Sequence, residues 1–187
     1  MTSEVARAAE IVKRGGVILY PTDTVWGIGC DGSNPEAVAK VFKIKRRADN
    51  KAMIILTASA DDVECYVESM PDVARDLIEY SDKPLTIVYD KGVRLAPALT
   101  GQDGSVGIRV TREEFSAALC RRLRRPLVST SANISGTPAP AIFAEISPEI
   151  LEAVDHVVDY RRDDVRRAQP STVMRLSSDG QFKILRP

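Results

Sequence analysis

Apolar positions along the chain switch repeatedly between a helical and a strand-like period. Val5, Ala8, Ala9 and Val12 recur on one helix face, with Ser3 placed for an N-cap and Gly15-Gly16 for a stop. Val17 to Tyr20 is a short apolar, β-prone run that leaves through Pro21-Thr22-Asp23-Thr24, whose proline and small hydroxyls read as a functional strand exit. Asn34-Pro35 then opens a helix, a capping side chain followed by proline at the first helical position, and Val38, Val41 and Phe42 form its buried stripe. Met53 to Leu56 reads as a buried strand, and Ser59 with Asp62 starts the next helix.

The second half repeats the alternation. Val73 to Tyr80 predicts a helix, Leu85 to Tyr89 and Val106 to Val110 predict strands, and Thr111 with Glu114 gives a capping box ahead of Phe115, Ala118, Leu119 and Leu123. Leu127 to Ser131 is a strand that runs straight into small polar residues. Ser147-Pro148 opens a short helix, Val157 and Val158 sit in a strand, and Thr172 to Leu176 pairs with Phe182 to Leu185 across Asp179-Gly180. Strands and helices alternate with no fixed-period repeat and no interdomain linker, so residues 1–187 are read as one α/β domain; the terminal hairpin makes its sheet mixed.

Charge sharpens this picture locally rather than globally. The chain carries 26 basic and 26 acidic residues, so affinity for phosphates or nucleic acid has to come from patches. The richest is Lys40, Lys43, Lys45, Arg46, Arg47 and Lys51, opposed only by Asp49; Arg121-Arg122 with Arg124-Arg125, and Arg161-Arg162 with Arg166-Arg167, are others. Cys30, Cys65 and Cys120 are odd in number and widely spaced, which points to a reduced compartment and away from a disulfide framework or thiolate metal site. Neither a basic leader nor an apolar run of about 20 residues is present, so a cytoplasmic location with no membrane contact is expected.

Candidate chemistry concentrates at Ser129 to Gly136, where hydroxyls, an amide and a glycine follow each other at a strand end, suited to an anionic ligand if cations stand opposite. Lys45 and Arg47 would diverge on a continuing helix; if the helix ends near Ile44 and the chain extends, they share one side and one target. A solvated basic helix end, favoured by the dipole, is the competing reading. Gly27, Gly29 and Gly32 match a three-glycine dinucleotide pattern but stand too far from both strand and helix, and are read as turn glycines. No P-loop occurs, His156 is read as a satisfied histidine rather than a triad member, and Asp23, a possible general base or magnesium ligand, as bonding its own turn.

Lys45-Arg46-Arg47 with Ser131-Ala132-Asn133 resembles the KxR and SxN signature of the YrdC/Sua5 family, the threonylcarbamoyl-adenylate synthases of tRNA modification. Tyr20 to Gly27, Ser105 to Arg109, Ser129 to Gly136, Pro170 to Val173 and Ile184 to Pro187 follow the family order, so the resemblance covers nearly the whole chain. It implies a YrdC/RibB-like fold, a twisted open mixed sheet with flanking helices around a concave basic cavity. It also implies synthesis of L-threonylcarbamoyl-AMP from L-threonine, bicarbonate and ATP with release of pyrophosphate, for t6A37 tRNA modification, with Mg2+ on the nucleotide.

Position by position, the resemblance assigns Lys45, Arg47 and Lys51 to the ATP phosphates and Ser105, Ser131, Asn133 and Arg186 to the nucleotide as well. Lys45, Arg47, Ser131 and Asn133 would be the catalytic set, and Thr24, Arg109, Ser129 and Ser171 would hold threonine. Leu56 stands where family members often carry histidine. The chain corresponds to the short single-domain type, which implies separate proteins that transfer the threonylcarbamoyl group. Two other readings stay open. One is a carbamoyl-adenylate synthase; the other is a non-catalytic RNA-binding or ribosome-maturation protein, and weak tRNA contact is compatible with catalysis.

Overall fold

The computed structural model describes residues 1–46, 53–167 and 169–187. Nine strands form one sheet: β1 (Ile18–Tyr20), β2 (Gly27–Gly29), β3 (Ile54–Thr57), β4 (Leu85–Tyr89), β5 (Val106–Val110), β6 (Leu127–Ser131), β7 (His156–Val157), β8 (Thr172–Leu176) and β9 (Phe182–Arg186). Six helices interleave: α1 (Thr2–Lys13), α2 (Pro35–Ile44), α3 (Ala60–Glu64), α4 (Val73–Tyr80), α5 (Glu114–Leu123) and α6 (Pro148–Ala153). The strand order is β7-β1-β2-β6-β3-β5-β4-β8-β9. The sheet is mixed: β3 runs parallel to β5, and β4 parallel to β8, while β6, β4 and β9 are antiparallel to β3, β5 and β8 respectively.

Alternation along the strands sends side chains to two different fates. On one face Leu19, Ile28, Ile55, Ile87, Ile108, Val128 and Met174 join Val38, Val41 and Phe42 of α2 in the larger core cluster. On the other, Ile18, Tyr20, Leu56 and Leu127 pack against α1 and α5 through Val5, Ala9, Val12, Phe115 and Leu119. Those two helices cover only part of that second face. Beyond them, on the same face, stand Thr86, Arg109, Ser129 and Val173, and this uncovered part of the sheet becomes a cavity.

Most of the sequence pattern maps directly. Asn34 caps α2 by accepting from the Glu36 and Ala37 amides, and Ser59 caps α3 by accepting from Asp62 N. The Asp179-Gly180 hairpin forms, with Gly180 at φ +85°. Three details differ. Residue Ser3 lies inside α1, whose N-cap is Met1. Helix α5 is capped by the Glu113 carboxylate, which accepts from Ser116 N at 2.7 Å, because Thr111 Oγ1 is turned inward to the Ser116 hydroxyl at 2.8 Å. Gly27 and Gly29 are strand residues of β2, not turn residues: a Cβ on Gly29 would stand 2.6 Å from the Tyr20 ring and against the Val128 carbonyl, so the strand needs glycine for close packing.

Candidate active site

The cavity has a volume of about 280 Å³. Its floor is the polar half of the strand alternation: Thr86 from β4, Arg109 from β5 and Ser129 from β6, with Ile54 of β3 between the last two. Thr24 closes one side, and Ser171 and Arg186 close the other. All four residues assigned to threonine therefore meet in one place, together with two of those assigned to the nucleotide, Ser131 and Arg186.

Thr24 is set by a hydrogen-bonded turn. The Thr22 hydroxyl donates its only proton to Val25 O at 2.8 Å and accepts from Thr24 N, which leaves Thr24 Oγ1 to donate to Thr22 Oγ1 at 3.0 Å. Arg109 Nη2 then donates to Thr24 Oγ1 at 3.1 Å. The same nitrogen lies 3.1 Å from Asp23 Oδ1, an ion pair without an aligned hydrogen bond. Asp23 thus serves Arg109 and not its own turn, which corrects the sequence reading. Arg109 is 3% exposed; burial pushes its guanidinium pKa down, opposed by the charge of Asp23. Its Nε is buried and has no hydrogen-bond partner among the described residues.

Lys45 locks the mouth of β6 to the end of α2. It is 1% exposed, and its ammonium donates to the carbonyls of Ser131 and Asn133, the latter at 2.7 Å. Ser135 N in turn donates to Lys45 O at 2.9 Å. The Asn133 amide shapes the loop from inside: Oδ1 accepts from Ser131 Oγ at 2.5 Å, and Nδ2 donates to Thr137 O at 2.6 Å. Helix α2 does end at Ile44, but Lys45 keeps an αR backbone and Arg46 turns left-handed at φ +48°. Arg47 and Lys51, the other two phosphate candidates, lie outside the described residues.

Arg186 reaches the cavity from the last strand, its Nε and Nη2 both donating to Ser171 O, at 3.1 and 2.8 Å. Ser105 is not brought to the cavity lining. It sits on the same side of β5 as Arg109 but four residues away, its hydroxyl donating to Asp103 Oδ1 at 2.6 Å. Those contacts, first the Ser105 hydroxyl, then its amide, then Arg175, hold the Asp103 carboxyl down at about 2. Leu56 is fully buried against α1 and α5 and does not line the cavity.

The remaining motifs are absorbed by the fold. His156 bonds Glu4 at 2.6 Å. Arg161 and Arg166 pair with Asp164, Arg162 stands over the Phe143 ring, and Arg167 pairs with Glu145, so that basic run fastens the 137–145 loop. Phe143 also packs on Trp26 with centroids 4.8 Å apart. Arg121, Arg124 and Arg125 edge a separate groove of about 610 Å³ beside Tyr66. The site residue that sequence reasoning missed is Thr86; a lone hydroxyl between Leu85 and Ile87 was the available signal.

An open mixed sheet carries here a cavity lined by a buried arginine and a ring of hydroxyls, beside a lysine-locked strand end. Residues 10–187 match the Sua5/YciO/YrdC family model, described as telomere recombination, and the chain belongs to this family. It is 35% identical over 170 residues to a threonylcarbamoyl-AMP synthase of Stenotrophomonas maltophilia, covering 89% of this chain and 90% of that one. A protein of the same name from Xanthomonas euvesicatoria is 34% identical over 184 residues, 97% of each. Likeness of this extent marks the chain as an enzyme of that kind. Among solved structures it superposes on P. abyssi Sua5 complexed with L-threonine with a TM-score of 0.85 at 27% identity, covering 98% of this chain and 53% of that one. The chain thus spans about half the length of that Sua5. E. coli YciO shares the fold, with a TM-score of 0.84 at 24% identity over 100% of this chain and 89% of that one. Among the described residues no helix is long and apolar enough to cross a membrane.

Proposed function

We propose that the protein joins L-threonine, bicarbonate and ATP into L-threonylcarbamoyl-AMP, releasing pyrophosphate, as a step toward t6A37 modification of tRNA. The observation that carries this reading is the convergence of Thr24, Arg109, Ser129 and Ser171 on one cavity around a buried guanidinium. A guanidinium fork suits a carboxylate, and hydroxyls around it suit an amino acid that carries a hydroxyl of its own.

In the proposed reaction the threonine amine takes up bicarbonate with loss of water to give a carbamate. A carbamate oxygen attacks the α-phosphorus, and the bond to the bridging oxygen breaks as pyrophosphate leaves. The chain's part is to hold two mutually repelling anions in line. Ser131 and Arg186 stand beside the threonine residues and are positioned for the adenylate side, while Lys45 and Asn133 keep the Ser131 end of β6 in shape. Asp23, weighed as a magnesium ligand, is committed to Arg109, so magnesium belongs with the ATP phosphates as part of the substrate. The threonylcarbamoyl group then passes to separate transferase proteins in the cytoplasm.

Pyrophosphate release from ATP, with L-threonine, L-serine, no amino acid or carbamoyl phosphate supplied alongside bicarbonate and magnesium, tests the reading. Release requiring threonine and bicarbonate supports it. Release only with carbamoyl phosphate makes the protein a carbamoyl-adenylate synthase, and RNA binding without any release makes it a non-catalytic RNA-binding protein.

A further inference from the structure

Thr86 is 1% exposed and lines the cavity, yet the proposed assignments leave it without a role. Its neighbour Ile87 pairs with Ile108, the neighbour of Arg109, so Thr86 comes level with the buried arginine on the same face of the sheet. Its Oγ1 lies 2.8 Å from Ser171 Oγ, and Ser171 is itself 3% exposed. No other hydrogen bond of the Thr86 hydroxyl is formed among the described residues.

Either hydroxyl of this pair can donate, and the direction decides what Ser171 offers the cavity. Ser171 Oγ has one proton and two lone pairs, and Arg186 Nη2 donates into one of them at 3.4 Å. If Thr86 donates into the second, both lone pairs are filled and the Ser171 proton can go only to an acceptor in the cavity. Thr24 is fixed in the opposite sense. Its proton is spent on Thr22 and one lone pair on Arg109, so it faces the cavity as an acceptor. The two ends of the amino-acid subsite then have opposite polarity, and a ligand with a donor at one end and an acceptor oxygen at the other fits in one orientation only.

We propose that Thr86 is a positioning residue for substrate recognition: by donating to Ser171 Oγ it makes Ser171 an obligate donor toward an acceptor oxygen of the bound amino acid. The proposal deepens the threonylcarbamoyl-AMP synthase reading and rests on it. Thr86→Val keeps the volume of the side chain and removes the hydroxyl, freeing a lone pair on Ser171 and with it the direction of the serine proton. Thr86→Ser keeps the hydroxyl and loses only a methyl group.

The test combines calorimetric binding of L-threonine with the threonine and ATP dependence of pyrophosphate release, for the unmodified protein and both variants, with melting temperature as the check on folding. The expected result is that Thr86→Val weakens threonine binding and raises its KM about tenfold, the scale of one neutral hydrogen bond. The KM for ATP stays unchanged, and Thr86→Ser recovers most of the loss. Unchanged threonine affinity in Thr86→Val overturns the proposal alone, as does a parallel loss for threonine and ATP with a lowered melting temperature, which is a purely structural effect. An unmodified protein that neither binds L-threonine nor releases pyrophosphate with it overturns the synthase reading, and the proposal falls with it.

Discussion

Arg109 Nη2 lies 3.1 Å from both Thr24 Oγ1 and Asp23 Oδ1, so one buried nitrogen ties the 21–24 turn to the centre of the sheet. The turn and the arginine therefore line one cavity together, and neither can be altered alone. Arg109→Met leaves the Asp23 charge in a confined place without its partner; a loss of about 3 kcal/mol of stability is expected, measured by urea unfolding. Arg109→Lys retains a charge but not the fork. Threonine binding by calorimetry is expected to fall by about tenfold to a hundredfold in that variant while the fold is kept.

Lys45 tests whether the strand end needs its lock. Lys45→Met keeps the aliphatic stem and removes the ammonium that the Ser131 and Asn133 carbonyls accept from. Unsatisfied carbonyls in this place cost about 1–3 kcal/mol each, so a lower melting temperature is expected. Pyrophosphate release is expected to fall about tenfold or more, because the Ser131 end of β6 loses the shape that Lys45 gives it.

Gly29→Ala probes packing with no polar group involved. The added methyl meets the Tyr20 ring at 2.6 Å and the Val128 carbonyl, both held in the interior. Overpacking of this kind costs about 1–3 kcal/mol, read as a shift in the unfolding midpoint. Gly136, where a Cβ would meet nothing within 4 Å, differs in kind: its φ of +92° makes any substitution a matter of backbone strain.

Asp103 gives a pH dependence with a definite sign. Its folded-state pKa of about 2 lies below the ordinary value of 3.8, chiefly through the Ser105 hydroxyl and amide. The associated stabilisation is present above about pH 4 and is lost as the pH falls toward 2. Carboxyl chemical shifts followed by NMR should show the low value, and Ser105→Ala should move it upward toward the ordinary one.

Strand positions were largely legible, and alternation along β5 and β6 separates apolar from polar residues cleanly, with Ile108 and Val128 packed inward and Arg109 and Ser129 left for the cavity; beyond the terminal hairpin the strand order was not legible, because it depends on pairings between residues far apart in the chain. That Thr24, Arg109, Ser129 and Ser171 meet was legible only through the family pattern, since nothing in local spacing brings Thr24 to Arg109, 85 residues away. Asp23 was misread because a Thr-rich turn normally satisfies its own aspartate, whereas here a buried guanidinium competes more strongly. Gly27 and Gly29 were misread because sequence shows that a Cβ is unwelcome but not what it would strike. Thr86 was passed over because one hydroxyl in an apolar strand has no period to announce it.

If one cavity joins three substrates into one adenylate, the carbon of bicarbonate has to end in the nucleotide product. The measurement that tests this most directly is the mass of the nucleotide formed from ATP, L-threonine and 13C-bicarbonate by the purified protein. The expected product contains AMP, threonine and a single 13C label, and forms together with pyrophosphate. A product without the label, or ADP and phosphate in its place, contradicts the synthase reading.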